Sequence, residues 1–224
     1  MIALDFVAVL AEWPLLLRGM AHTVSLTAVA TVLGLMLGIA CAKVRVHGHG
    51  LLRLGVGAYV ELFRNTPFIV QLFFIFFGLP GLGLRLTPEI ASVLAMVLNL
   101  GAYAAEIVRA GLQSTPRGQI EAARSLALTE RQLFWRVVLP PALGRVWPSV
   151  VSQIIIVMLG SAVCGQISTE ELSYAANLIQ SRNFRAFESF IVATAIYLGL
   201  SIALRHLLVA LGPRLFGRVA PAHR

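Results

Sequence analysis

The chain is poor in charge. Asp, Glu, Lys and Arg make up 12% of its 224 residues, about half of the roughly 25% carried by soluble domains. Lysine occurs once, at Lys43, and no GxxxxGK[ST] loop is present to cradle the phosphates of a nucleotide. The two cysteines, Cys41 and Cys164, fall in apolar runs without ligand-like spacing. That argues against a disulfide framework and a zinc site, and for small buried hydrophobes. His22, His47, His49, His206 and His223 are scattered, and no HExxH occurs. A metal-dependent chemistry therefore has no cluster to stand on. His47 and His49 share a basic turn and read as solvated.

Apolar residues are abundant, at 58% of the chain, more than a soluble core of this length can use. The composition indicates an all-α integral membrane protein, because helices satisfy their own backbone in lipid. Runs of about twenty apolar residues are long enough to cross. They predict five spans, at 22–42, 58–79, 90–108, 146–167 and 190–211. Residues 1–21 form an apolar leader with Asp5 and Glu12 and no basic residue before Arg18. Lacking the positive start of a cleaved signal peptide, they are expected to be a retained interfacial segment.

The formal charge of +8 is explained by where the basic residues lie, not by affinity for nucleic acid. Lys43, Arg45, Arg53 and Arg64 follow the first span. Arg109, Arg117, Arg124, Arg131, Arg136 and Arg145 follow the third, and Arg205, Arg214, Arg218 and Arg224 lie late in or after the fifth. The opposite side has Arg18, Arg85, Arg182 and Arg185, diluted by acids. The positive-inside rule predicts an outside N-terminus and a basic cytoplasmic tail at 212–224. It also makes residues 118–145 the largest cytoplasmic loop.

That loop reads EAARSLALTERQLFWRVVLPPALGRV from Glu121. Glu121 favours the first turn of a helix starting near Gly118. Thr129 with Gln132 matches a capping box that opens a second helix. Leu133, Phe134 and Val137 give that helix an apolar stripe, Arg131 and Arg136 face polar surroundings, and Pro140-Pro141 are expected to end it. Periodicity alone equally allows an amphipathic connector lying on lipid headgroups.

The loop resembles the EAA motif of ABC importer permeases: EAA, a Gly four residues later, then a hydrophobic-Leu-Pro ending. Glu121, Ala122, Ala123 and Leu139-Pro140 supply it, while Ala127 stands where the family has Gly. A Cβ at a left-handed helix end costs about 1–2 kcal/mol, so either the elbow turns right-handed or the strain is borne. AYVELFRNTPFIVQLFFIFFGLP, LNLGAYAAEIVRAGLQSTPRGQIEAA, ISTEEL and NFRAFESF resemble the polar amino acid branch of that family (the histidine, glutamate and glutamine type). The resemblance implies a type I importer membrane domain in a bacterial inner membrane, with a cytoplasmic coupling helix. It implies a separate ATPase gripping Glu121, Ala122, Ala123, Arg124, Ser125, Leu126 and Ala127, a second permease subunit, and an extracytoplasmic solute-binding protein. ATP and Mg would be used by the ATPase, with no cofactor on this chain.

Polar residues inside a membrane are costly and are candidates for function. Gln71, Asn99, Glu106, Ser152, Gln153 and Ser161 are the candidates for a substrate path. Each has a structural alternative: Asn and Gln bridge helices, and Glu106 can pair with Arg109 at i+3. Relatives often carry Lys-Asp in the fourth span, where this chain has Leu159-Gly160. Arg64-Asn65-Thr66-Pro67 reads as a kink or as a helix start. A membrane-embedded enzyme, or a passive channel or scaffold, is the alternative class.

Overall fold

The computed structural model describes residues 4–216, and all of its regular elements are helical. A short helix α1 (Val7–Leu10) precedes α2 (Trp13–His47), α3 (Gly50–Arg64) and α4 (Phe68–Phe73). α4 continues through a π-helical turn, Phe74–Gly78, and a 3₁₀ turn, Leu79–Leu82. Then come α5 (Pro88–Gln113), α6 (Arg117–Ser125) and α7 (Glu130–Gln132), which passes through the π-helical segment Leu133–Val138 into α8 (Leu139–Gly160). A 3₁₀ segment, Ser161–Ile167, leads to α9 (Leu172–Asn183) and α10 (Ala186–Phe216).

Four helical runs are long and apolar enough to cross a membrane, and a bent pair, Gly50–Arg64 with Phe68–Leu82, makes up to five. α5 lies at the centre, packed on α2, α3 and α8, while α10 closes the bundle against α8 and α9. Water cannot press α2 onto α5 within lipid, so close backbone approach does the work. A Cβ on Gly38 would stand 2.6 Å from that of Ala104, and one on Gly101 would stand 2.9 Å from the Tyr59 hydroxyl. Tyr59 then donates to Leu98 O at 2.7 Å, fixing α3 along α5.

The structure moves several boundaries. Residues 13–21, expected in a separate interfacial segment, continue the first long helix, because Pro14 sits in its first turn, where no N–H is needed. The second span is not one helix over 58–79. It breaks at Asn65–Pro67 with a bend of 113°, since Pro67 holds extended geometry (φ −62°, ψ 140°) and denies a helical partner to the turn before it. The third and fifth helices extend beyond 90–108 and 190–211 at both ends.

Pro140-Pro141 do not end the helix that starts at Glu130, as the sequence had suggested. The path runs on without a break from Glu130 to Ile167, 38 residues. The π segment takes the backbone out of α register, so a fresh α segment begins at Leu139. Both prolines then fall in its first turn, the part of a helix that tolerates proline best. The expected tail at 212–224 is helical as far as Phe216, and its remainder, with Arg218 and Arg224, lies outside the described residues.

Candidate functional site

At one end of the bundle α6 and its elbow protrude. α6 starts after Pro116 rather than at Gly118. Its C-terminus is a complete Schellman arrangement: Ala127 N–H donates to Arg124 O at 2.9 Å, and Leu128 N–H to Ala123 O at 3.3 Å. Ala127 has φ 55°, so the elbow keeps the left-handed turn that glycine usually supplies and bears the Cβ penalty. Ala123 faces inward and packs with Leu128, Leu133, Phe134 and Val138. Glu121, Ala122, Arg124, Ser125, Leu126 and Ala127 are exposed, Leu126 by 76%, a bare apolar side chain at the tip.

The capping box is present: Thr129 N–H donates to Gln132 Oε1 at 2.9 Å, and Gln132 N–H to Thr129 Oγ1 at 3.3 Å. Arg124 Nε reaches Glu130 across the elbow at 3.1 Å. Arg145 bonds Ser114 and Thr115 at 2.9 Å each and Gly111 O at 3.3 Å. It thereby satisfies a carbonyl of the last turn of α5 and clamps the loop's entry to its exit. α6 is thus held rigidly, with one face docked and the other presented outward.

The polar candidates do not converge on one place. Gln71 and Asn99 meet: Asn99 Nδ2 donates to Gln71 Oε1 at 3.0 Å. Gln71 Nε2 in turn donates to Phe63 O at 2.7 Å and to Thr66 O and Oγ1 at 3.0 and 2.9 Å. Its buried amide therefore fills the acceptors that the break at Pro67 leaves open. Asn99 also borders a cavity of about 80 Å³ with Phe68, Ile156, Val157 and Gly160. Ile156, which lines it, and Leu159 are exposed, by 59% and 45%. Glu106 lies toward the α6 end. It pairs with Arg109 as its spacing suggested and also with Arg45 at 2.5 Å and Arg64 at 3.9 Å. Ser152 is exposed and donates to Pro148 O at 3.1 Å. Gln153 is half-buried, and Ser161 is buried and donates to Met158 O at 2.6 Å.

Sequence reasoning missed Glu171. It is wholly buried and caps α9 by accepting from Ser173 N–H at 2.9 Å and Tyr174 N–H at 2.8 Å. The hydroxyls of Ser173 and Tyr197 donate to it at 2.5 Å each. Next door, Leu172 N–H reaches Thr23 Oγ1 at 3.2 Å. An acid two residues before a Ser-Tyr pair at a helix start was the available signal.

Residues 34–217 match the family described as "Binding-protein-dependent transport system inner membrane component". The chain is 35% identical to the probable glutamine ABC transporter permease protein GlnM of Bacillus subtilis, covering 83% of this chain and 86% of that one. It is 36% identical to the L-cystine transport system permease protein TcyB of the same organism, over 76% and 73% of the two chains. Among solved structures, a crystal structure of an amino acid ABC transporter with histidines superposes with a TM-score of 0.85. It shares 33% identity and covers 96% of this chain and 100% of that one. An inward-facing methionine transporter, MetNI, at 24% identity and TM-score 0.71, shares the fold.

Proposed function

From a chain that belongs to the binding-protein-dependent transport-system inner membrane components, a multi-pass family whose ATPase is a separate subunit, we infer a permease subunit for polar amino acids. It pairs with a second permease chain, receives its solute from an extracytoplasmic binding protein, and draws its energy from a docked ATPase. The N-terminus lies outside and α6 in the cytoplasm. The supporting observation is charge: Lys43, Arg109, Arg117, Arg124, Arg131 and Arg145 all gather at the α6 end.

The single observation that carries the mechanism is the posture of α6. A nine-residue helix fixed by Ala123 beneath, a Schellman turn behind and a capping box beyond presents Glu121, Ala122, Arg124, Ser125, Leu126 and Ala127 to a partner. Leu126 gives that partner an apolar anchor and Ala122 lets it come close. When the ATPases close, α6 is displaced, and the unbroken path from Glu130 to Ile167 carries the displacement into the bundle. The Gln71–Asn99 pair at the break in the second span is the polar point on the route, with Ser152, Gln153 and Ser161 along the fourth helical run. Glu106 holds the inner end. Amino acids are the solute class because two relatives, matched over 83% and 76% of this chain, are permeases for glutamine and cystine by name.

The test is reconstitution. The chain should co-purify with an ATPase. Liposomes holding the complex should take up an amino acid only with ATP and the cognate binding protein. Uptake that persists without ATP, or after deletion of residues 117–127, would overturn the reading.

A further inference from the structure

Where the end of α2 meets Glu130–Val138, two hollows open side by side, sharing Lys43, His47, Phe134 and Trp135. The first encloses about 650 Å³, and Lys43, Arg117, Arg124 and Arg131 line it against one carboxylate, Glu130. That carboxylate is already engaged by Arg124 at 3.1 Å. Among the described residues Lys43, Arg117 and Arg131 take part in no ion pair; Lys43 stands 4.8 Å over the Phe134 ring. The second hollow, about 630 Å³, runs beside Met36, Ile39, Ala40 and Val44 of α2 and is almost wholly apolar. It follows a helix long and apolar enough to cross the membrane. Trp135, half-exposed, stands on the rim between the two, the position that aromatic side chains favour at a membrane surface.

We propose that the two hollows together bind one anionic phospholipid of the adjoining leaflet. Its headgroup phosphate sits among Lys43, Arg117 and Arg131, and an acyl chain lies along the groove beside Met36 and Val44. The joined shape selects the occupant. A soluble anion fills only the cationic hollow and leaves the groove bare, whereas a zwitterionic lipid brings its own cation against the arginines. Each basic residue at a membrane surface strengthens attraction to anionic lipid about five-fold. The bound lipid would wedge between the first span and the root of α6.

The test uses the full-length chain with its ATPase in nanodiscs, reading Trp135 fluorescence as the signal lost in Trp135→Phe. Phosphatidylglycerol with brominated chains should quench Trp135 more than brominated phosphatidylcholine at the same mole fraction. Inorganic phosphate should not abolish the excess. Lys43→Gln with Arg131→Gln should weaken the preference about five-fold per cation removed. Ala40→Phe, which obstructs the groove and keeps every charge, should reduce quenching by both lipids. Equal quenching by the two lipids in the unaltered chain overturns the proposal, as does a preference untouched by both sets of substitutions. Abolition by phosphate alone would assign the hollow to a soluble anion and also overturn it.

Discussion

Glu106 and Arg45 meet at 2.5 Å across 61 residues of sequence, and the same carboxylate holds Arg109 and approaches Arg64 at 3.9 Å. One acid therefore ties α2, α3 and α5 together. Three guanidiniums around one carboxylate leave an excess of positive charge when the acid is removed. Glu106→Gln should lower stability by about 2 kcal/mol, the usual worth of hydrogen bonds to a charged group. A double cycle with Arg45→Gln should show coupling of about 1 kcal/mol or more. Thermal unfolding of the purified complex measures both, and strictly additive effects would mean that the pair does not act as a unit.

The left-handed Ala127 predicts a gain. Ala127→Gly removes the Cβ clash at φ 55° but loosens the unfolded chain. The net stabilisation should be about 0.5–1 kcal/mol. ATPase retention on pull-down should be unchanged or stronger. Ala127→Val should move both readings the other way, and loss of the complex in the glycine variant would show that the elbow has been misread.

Gln71 should be sensitive beyond its size. Gln71→Leu strips donors from Phe63 O and Thr66 O and an acceptor from Asn99. Buried groups left unpaired cost about 1–3 kcal/mol each. Asn99→Ala leaves the Gln71 contacts at the break intact and should cost less. Melting temperatures rank the two, and uptake rates show whether the break also matters for transport.

Tyr197→Phe deletes a single hydroxyl that donates to the buried Glu171 at 2.5 Å. The expected loss is about 1.5–3 kcal/mol. Because Glu171 also caps α9, hydrogen exchange should rise first in residues 172–176. A uniform rise across the chain would contradict that order.

Local features were legible in the sequence and distant ones were not. The capping box at Thr129 and Gln132 and the Glu106–Arg109 pair span three residues each, so spacing on a helix was enough to find them. Arg45 could not be joined to Glu106 in that way, nor Thr23 to Leu172, 149 positions apart; both contacts exist only once the helices pack. The Pro140-Pro141 reading failed for a different reason. The rule that proline stops a helix assumes α register, and nothing in LFWRVV announces a π segment. The bend at Pro67 was open between kink and start, and the structure has helix on both sides of it, α3 to Arg64 and α4 from Phe68, at 113° to each other.

The unbroken path from Glu130 to Ile167 has a mechanical implication. At about 1.5 Å per residue its 38 residues span about 55 Å, with its foot beside the elbow and its head beside α9. No break interrupts the path, so a tilt applied at its foot travels along it, with the π segment and Pro148 as the places where it can flex. It hands that tilt on as a swing of its far end, in the opposite sense, about whatever fulcrum the neighbouring helices provide. Trp147, whose indole N–H donates to Leu208 O at 2.8 Å, sits near the middle of the path, so a shove below would become a sweep of similar size above.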